Sequence, residues 1–243
     1  MNPEDVLKQV GGEVSVCTRC QLHYSRKNAV PGEGPPNAEI MFIGEGPGFY
    51  ENEQGRPFVG QAGKFLDELL AGAGFERADV FITNVVKCRP PGNRDPLPEE
   101  LDACAGFLER QVQAINPRVI VTLGRVSMAK FFGAAKISAV HGQARKVRGR
   151  LVVAMYHPAA ALHQPSLRPV VQRDFVALPQ YVQQARQMPP VNGEAAADAP
   201  LAMTAEQVSL LDQPQFPLAA PPAEPLPGDE SESPVDPQQL SLF

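Results

Sequence analysis

The feature that most constrains this chain is an apolar run that ends in a glycine-rich turn. Ile40-Met41-Phe42-Ile43 is followed at once by Gly44-Glu45-Gly46-Pro47-Gly48, and Gly55-Arg56-Pro57-Phe58-Val59-Gly60 comes shortly afterwards. The apolar run is typical of a buried strand, and glycine, which lacks a Cβ, lets the backbone approach a ligand closely. Because ligands of open α/β sheets bind just beyond the carboxyl ends of strands, we expect the functional site here.

Elsewhere, short apolar runs alternate with segments of helical periodicity. Strands are predicted over residues 39–44, 80–86, 118–123 and 151–155, and helices over residues 4–10, 61–73, 98–115, 124–132 and 168–187. Strands that alternate with helices favour a parallel sheet with helices on both faces, because each connecting helix packs back onto the sheet. The sequence therefore predicts an α/β fold.

The composition is that of a globular protein with a substantial core, since 43% of the residues are hydrophobic. No apolar run in the sequence is long enough to cross a bilayer. The N-terminus lacks the cationic and then apolar pattern of a secretory signal. We therefore expect a cytoplasmic protein without a membrane partner.

Charge divides the chain into a basic body and an acidic tail. Residues 187–243 contain nine of the 27 acidic residues and none of the 22 basic ones, so the preceding residues carry a formal net charge of +4, against −5 for the whole chain. A basic body is compatible with a nucleic-acid partner without requiring one. The residues after Met188 are mostly Pro, Ala, Gln, Glu and Ser, too polar to build a core. We predict a folded domain over residues 1–187 and a disordered tail over residues 188–243.

The four cysteines of the chain form a pattern that suits a metal centre. Cys17 and Cys20 are separated by two residues in a polar segment, Cys88 begins a proline-rich loop, and Cys104 follows in a predicted helix. Four thiolates suit either zinc or an iron–sulfur cluster, and disulfides are disfavoured in the cytosol. The alternative is four unrelated core thiols, but the surroundings of Cys17, Cys20 and Cys88 predict positions outside the core.

Three other side chains each have a functional and an ordinary explanation. Asn84, late in the second predicted strand, either pairs with nearby backbone or uses its amide, a donor and an acceptor at once, to read a base edge. His157 follows the fourth strand and precedes a proline; it is either a loop residue without a role or a donor to a developing oxyanion. Phe58 is either a core residue or a face on which a flat ring stacks.

Two carboxylates, Glu45 and Glu51, lie in or just after the glycine-rich turn. They are either ordinary turn and surface residues or groups that position a water molecule. The residue types alone leave both explanations open.

Taken together and in this order, these segments resemble the family 4 uracil-DNA glycosylases, the iron–sulfur branch of that superfamily. The matching segments are residues 17–20, 44–48, 55–60, 83–91 and 157–160. The resemblance extends over residues 17–185 and leaves out the tail. It implies a three-layer α/β/α sandwich around a central four-stranded parallel sheet.

The resemblance also implies a monomeric enzyme that flips uracil out of single- or double-stranded DNA and hydrolyses its N-glycosidic bond, which starts base excision repair. Phe58 is then expected to stack on the flipped uracil, Asn84 to read its edge and His157 to donate to its O2. The turn that lines the base comprises Glu45, Gly46, Pro47 and Gly48. The implied ligands of a structural [4Fe–4S] cluster, with zinc as the less favoured metal, are Cys17, Cys20, Cys88 and Cys104.

The residue that activates water is the least defined part of this prediction. Better-known uracil glycosylases carry an aspartate where this chain has Gly46, so we nominate Glu51 as the base and Glu45 as the second candidate. Glu45 or its neighbouring backbone is also expected to exclude the methyl group of thymine. A related branch that links covalently to DNA has a glutamine in this motif and a basic, histidine-containing inserted loop. Gly46 and the short segment 136–150 predict an ordinary hydrolase instead.

The chain ends in Gln239-Leu240-Ser241-Leu242-Phe243, which resembles the pentapeptide that docks into the bacterial DNA sliding clamp. Leu240, Leu242 and Phe243 are apolar, and Gln239 would hydrogen-bond at the rim of the clamp pocket. Residues 207–211 are a poorer version of the same pattern. An incidental apolar C-terminus is the alternative.

Two other functional classes remain open from the sequence. One is a non-catalytic iron–sulfur protein of the same fold that binds nucleic acid, and the other is an electron-transfer iron–sulfur protein. The combination of Asn84, His157 and Phe58 argues against the first. An electron carrier would leave the glycine–carboxylate turn without a purpose.

Overall fold

The computed structural model describes residues 1–190, and a single five-stranded sheet organises them. Its strands are β1 (Ile40–Gly44), β2 (Phe81–Asn84), β3 (Val119–Leu123), β4 (Ala144–Val147) and β5 (Arg150–Met155). The order across the sheet is β2-β1-β3-β5-β4. Residues 191–243 of the predicted disordered tail, with its two clamp-like peptides, lie outside the described residues.

Four of the strands, β2, β1, β3 and β5, run parallel, as predicted. The sequence did not indicate β4, which pairs antiparallel with β5 at one edge. Its middle residues, Arg145 and Lys146, are exposed, and charged side chains on an edge strand discourage pairing with other chains. The tight turn between β4 and β5 uses Arg148 and Gly149, both with positive φ. The predicted four-stranded parallel sheet is therefore present, and one antiparallel strand extends it at an edge.

Helices cover both faces of the sheet, which explains why the inner strands are almost wholly apolar. All five residues of β1 are buried, and the same holds for β3. A strand covered on both faces has no solvent side, so its sequence is a continuous apolar run rather than an alternating one.

The helices of the described residues pack as an inner set against the sheet and as pairs against one another. Helix α1 packs on α5, and α4 packs on α8 and α9. The Phe175 ring of α9 stacks on Phe42 of β1 with the ring centroids 6.0 Å apart. The bounds are α1 (Pro3–Ser15), α2 (Leu22–Ser25), α3 (Phe49–Gln54), α4 (Gln61–Gly72), α5 (Pro98–Ile115), α6 (Arg125–Phe132), α7 (Ile137–Val140), α8 (Pro158–His163), α9 (Arg168–Val176) and α10 (Leu178–Gln187). Across residues 1–190, every helix is too short or too polar to cross a membrane.

Two helices differ from their predicted bounds for identifiable reasons. Helix α1 continues past residue 10 to Ser15, because Val10 and Val14 are buried and offset the low helical propensity of Gly11 and Gly12. The single helix predicted over residues 168–187 is instead two, α9 and α10, separated at Ala177. Pro179 lacks an amide hydrogen and its ring would clash with the carbonyl four residues earlier, so one continuous helix cannot form.

The start of α5 is fixed by a buried carboxylate. Glu100 is only 1% exposed, and its two oxygens accept hydrogen bonds from Arg94 at 2.8 and 2.6 Å and from the Leu97 amide at 2.7 Å. Burial opposes ionisation, but the bonds from Arg94 and Leu97 outweigh it and hold the pKa of Glu100 below its usual value. The contact matters because α5 carries Cys104 one turn further on.

Replacing Glu100 by alanine is expected to lower the free energy of unfolding by about 1–3 kcal/mol at pH 7, because Arg94 and the Leu97 amide lose their acceptor. The folded-state pKa is depressed, so this stability is present above about pH 4.5 and is lost as the pH falls through the lower folded-state value. Urea denaturation at pH 7 and pH 3 measures both effects. The control is Glu99→Ala, an exposed neighbour on the same turn. Equal losses in the two variants would contradict the assignment.

Candidate active site

The segments singled out in the sequence meet at the carboxyl ends of the parallel strands. Gly44 ends β1 and pairs in register with Asn84, the last residue of β2. Gly124 follows β3 and donates its amide to the carbonyl of Met155, the last residue of β5, at 2.8 Å. His157 comes two residues after Met155. The predicted position of the site at this edge of the sheet is consistent with this geometry.

Gly44, Asn84 and Phe58 are in such close contact that the first must be glycine. A Cβ placed on Gly44 would lie 2.4 Å from Asn84 Oδ1 and 2.8 Å from Phe58 Cζ. Both distances are shorter than van der Waals contact. The amide and the aromatic ring therefore border the same small space above the end of β1.

Asn84 carries the clearest sign of a missing ligand. Its side chain is 2% exposed, and Oδ1 is buried with no hydrogen-bond partner within residues 1–190. A buried acceptor without a donor costs about 1–3 kcal/mol. An N–H group of a bound ligand would satisfy it.

Phe58 is held in an uncommon backbone conformation beside His157. Its φ is +50°, a region that residues with a Cβ rarely adopt. The Phe58 and His157 rings are nearly parallel, with centroids 5.4 Å apart and an interplanar angle of 24°. Arg77 donates to the Phe58 carbonyl at 3.1 Å. A Cβ on Gly63 of α4 would lie only 1.9 Å from that carbonyl oxygen, so the helix presses directly against the strained residue.

The structure defines both the charge and the tautomer of His157. Its Nδ1 accepts a hydrogen bond from the Ala159 amide at 3.1 Å, so Nδ1 carries a lone pair and the proton of the neutral ring lies on Nε2. Burial lowers the pKa of His157 to about 4, although the negative charge of Glu51 opposes the shift. At neutral pH the residue is therefore an uncharged imidazole with an Nε2–H donor.

Glu51, the first nominated base, is already engaged by the backbone. Its Oε1 accepts from the amides of Val59 at 2.9 Å and Gly60 at 3.0 Å, and its Oε2 accepts from the amide of Gly48 at 3.1 Å. These bonds tie the glycine-rich turn to the segment that carries Phe58. Glu51 thus holds the two motifs together, a role that the sequence did not indicate.

Glu45, the second candidate, lies in a different electrostatic environment. Burial and the neighbouring carboxylate of Asp95 raise the pKa of Glu45 to about 8, and Arg125 partly opposes the shift. Arg125 also pairs with Asp95. A carboxylate whose pKa is near neutral can accept and release a proton under physiological conditions.

The turn itself leaves no room for an aspartate at position 46. A Cβ on Gly46 would lie 2.9 Å from Val86 Cγ2 and 3.5 Å from Pro90 Cδ. Pro47 is buried next to it, and Gly48 caps the start of α3. Any acid–base group in this turn must therefore come from Glu45 rather than from residue 46.

Sequence reasoning missed Asp95 and Arg125. Asp95 belongs to a polar loop and carries no pattern of its own. Arg125 directly follows Gly124 at the carboxyl end of β3, and the rule that placed the site at strand ends could have drawn attention to it.

The four cysteines are brought together in a second location. All of them line one pocket, whose walls include Val14, Leu22 and Phe107. The prediction that Cys88 lies outside the core was wrong: Cys88 and Cys104 are 7% and 8% exposed, because the start of the proline-rich loop is covered. Cys17 and Cys20 are partly buried.

Hydrogen-bond donors approach two of these sulfurs. Arg26 Nη1 lies 3.5 Å from Cys88 Sγ, and the amide of Lys87 lies 3.3 Å from Cys104 Sγ. Burial raises the pKa of Cys104 to about 11, so this thiol is no reactive nucleophile on its own. Among residues 1–190, no set of three or more Cys, His, Asp or Glu side chains is arranged to hold a single metal ion.

Lys87 connects the cysteine pocket to the strand end. Its ammonium group is 1% exposed and donates to Thr83 Oγ1 at 2.6 Å, to the Asn84 carbonyl at 2.8 Å and to Gln111 Oε1 at 2.7 Å. Burial lowers the pKa of Lys87 to about 7. The same residue that offers its amide to Cys104 thus fixes the backbone of Asn84. The sequence gave no sign of this role.

Comparison with known proteins agrees with the geometry. A family model described as the uracil DNA glycosylase superfamily matches residues 31–182. Over 183 residues the chain is 49% identical to the type-4 uracil-DNA glycosylase of Sulfurisphaera tokodaii, covering 70% of this chain and 82% of the relative. It is 48% identical over 178 residues to the type-4 uracil-DNA glycosylase of Archaeoglobus fulgidus, an alignment that covers 70% of this chain and 89% of the relative. The chain is 45% identical over 177 residues to the type-4 uracil-DNA glycosylase of Thermotoga maritima, an alignment that covers 71% of this chain and 92% of the relative. The resemblance seen in the motifs is confirmed, and the chain belongs to the uracil-DNA glycosylase superfamily, within its type-4 branch.

Proposed function

We propose that this protein excises uracil from DNA by hydrolysing the bond between the base and deoxyribose, the first step of base excision repair. The buried, unpartnered Oδ1 of Asn84 beside Phe58 and His157 carries the proposal. A base inside a duplex cannot reach such a pocket, so the nucleotide must first be flipped out of the stack.

Recognition of uracil follows from the chemistry of the Asn84 amide. Uracil presents an N3–H donor next to the O4 acceptor, which match the Oδ1 acceptor and the Nδ2 donors of the side chain. Cytosine presents an N3 acceptor and an amino donor, so an acceptor would face the Oδ1 acceptor and a donor would face the Nδ2 donors. In a dry site such a mismatch is strongly penalised. Phe58, fixed by its backbone contacts, provides the face on which the flat base stacks.

His157 is suited to stabilise the departing base. As the N-glycosidic bond breaks, its electron pair moves onto uracil and negative charge develops on O2. The Nε2–H of a neutral imidazole can donate to that oxygen without transferring its proton. Because the pKa of His157 is about 4, this form persists throughout the physiological pH range.

Water must then attack C1′ of the sugar and lose a proton. Two observations support Glu45 as the base in place of Glu51: the oxygens of Glu51 accept from three backbone amides, whereas the pKa of Glu45 is raised to about 8. We assign the proton acceptance to Glu45. Glu51 holds the turn to the Phe58 segment and places negative charge close enough to affect His157.

The cysteine pocket is proposed to hold a [4Fe–4S] cluster through Cys17, Cys20, Cys88 and Cys104. The fit rests on sulfurs from three chain segments around one pocket, on its apolar walls, and on donors to the Cys88 and Cys104 sulfurs. When bound, the cluster supplies a covalent brace between residues 17–20, the end of β2 and α5. Zinc, the less favoured metal, would be bound by the same four thiolates.

The proposed partner is uracil-containing DNA, single- or double-stranded, bound by a cytoplasmic monomer. A second proposed partner is the bacterial sliding clamp, bound through Gln239, Leu240, Leu242 and Phe243, which lie outside residues 1–190.

The overall assignment is tested by incubating purified protein with uracil-containing and uracil-free oligonucleotides and measuring released uracil. Binding without release would favour the non-catalytic alternative.

Replacing Asn84 by the isosteric leucine is expected to lower kcat/KM for uracil excision by about 100-fold or more, since N3–H and O4 of the base lose their partners. The same change is expected to leave the free energy of unfolding unchanged or raise it by about 1–3 kcal/mol, because it removes an unsatisfied buried acceptor. Excision kinetics and urea denaturation measure the two effects. A stability loss as large as the loss of activity would argue for a structural role. Thr122→Val, a buried change in β3, is the control with activity expected near wild type.

The assignment of Glu45 predicts a specific pH dependence. If Glu45 must be ionised, the single-turnover rate of the wild type rises with pH and levels off above about pH 8. Glu45→Gln is expected to lower that rate by about 100- to 10,000-fold and to remove the rise. Glu51→Gln, which loses the acceptor for one backbone amide, is expected to keep the rise with a smaller loss of rate. If instead Glu51→Gln abolishes the rise and Glu45→Gln preserves it, Glu51 is the base.

The cluster proposal predicts broad visible absorption together with iron and sulfide in the purified protein. Cys104→Ala is expected to remove or weaken the absorption and to lower the midpoint of thermal unfolding, since one brace to α5 is lost. Spectroscopy and metal analysis provide the measurement. A colourless wild-type protein that contains stoichiometric zinc would refute the cluster assignment without affecting that of Asn84.

A further inference from the structure

Two exposed aromatic side chains at the start of α3 have no role in the site as described so far. Phe49 is 37% exposed and Tyr50 is 56% exposed. Their rings meet edge to face with centroids 5.4 Å apart, so they form one continuous unit. Exposing two neighbouring aromatic rings costs hydration free energy, and clustered exposed apolar surface commonly marks an interaction site.

These rings stand at the rim of the proposed uracil pocket. Phe49 directly follows the turn of residues 44–48, and Tyr50 precedes Glu51, whose carboxylate holds the Phe58 segment. A Cβ on Gly60 would lie 3.3 Å from Tyr50 Cδ2, so the tyrosine ring reaches the residue two positions beyond Phe58. A DNA strand that delivers a base to Phe58 must therefore pass close to this surface.

The positively charged side chain of Arg89 lies over one of these two aromatic rings. The guanidinium carbon of Arg89 lies 5.3 Å from the centroid of the Phe49 ring, and Arg89 Nε donates to Asn93 Oδ1 at 2.8 Å. The next residue, Pro90, abuts the turn at Gly46. Aromatic faces beside an arginine are the combination with which proteins bind single-stranded nucleic acid without regard to sequence, the rings stacking on bases and the cation facing phosphates.

We propose that Phe49, Tyr50 and Arg89 form a stacking platform for the nucleotide next to the uracil on the same strand. This inference rests on the proposed function and specifies how the substrate strand is held outside the pocket. In a duplex the neighbouring base is already paired and stacked, whereas in a single strand it is available. The platform therefore favours single-stranded over double-stranded DNA.

The test uses full-length protein and oligonucleotides in which a tetrahydrofuran abasic analogue replaces the uracil nucleotide, with 2-aminopurine on its 5′ or 3′ side. For the wild type, we expect quenching of 2-aminopurine fluorescence on one of the two sides. The double variant Phe49→Ala/Tyr50→Ala is expected to remove the quenching and to weaken binding to the single strand by about 5- to 150-fold. The loss with the corresponding duplex is expected to be several-fold smaller.

Two further variants separate stacking from other contacts. Tyr50→Phe keeps the ring and is expected to bind like the wild type. Tyr24→Ala removes another exposed tyrosine, whose ring contacts His23 instead, and is also expected to leave binding unchanged.

The outcomes distinguish this inference from the proposed function. The platform would be overturned if the wild type releases uracil but the double variant binds DNA with unchanged affinity. It would also be overturned if the double variant loses affinity equally for single- and double-stranded DNA. A wild type that releases no uracil would refute the proposed function, whereas the fluorescence and binding results would still decide the platform.

Discussion

Asn84 Oδ1 and the edge of the Phe58 ring both rest on the α-carbon of Gly44, and the whole pocket is built on that contact. A methyl group at this position would come within 2.4 Å of the amide oxygen, so either the amide or the ring would have to leave. Because Gly44 pairs in register with Asn84 at the ends of two parallel strands, the spacing is set by the sheet. The sheet thus fixes the distance between the Asn84 amide and the Phe58 ring.

Three further contacts keep this arrangement from relaxing. Arg77 and Gly63 confine the carbonyl of Phe58, whose φ of +50° would otherwise revert to a commoner value. On the other side, Lys87 holds the Asn84 carbonyl while its own amide faces Cys104. Lys87 therefore links the cysteine pocket to the end of β2.

The sequence was sufficient to predict which residues lie together at the carboxyl ends of the strands. The apolar run before Gly44, the glycine turn and the strand-end positions of Asn84 and His157 sufficed to bring these groups together, because parallel strands present their carboxyl ends at one edge. What could not be predicted depends on partners far apart in the chain. The pKa of Glu45 is raised by burial and by the neighbouring carboxylate of Asp95, and no local pattern in the sequence identifies either cause. Strand β4 is short and charged, and it exists only because β5 offers an edge.

The close packing around Gly46 has a consequence for how this branch of the superfamily can change over time. With Val86 Cγ2 only 2.9 Å from where a Cβ would lie, a mutation that introduces a side chain at position 46 requires Val86 to shift. A smaller residue in place of Val86 would remove this contact. Packing at position 46 is therefore coupled to the side chain at position 86, and substitutions at the two positions are not independent.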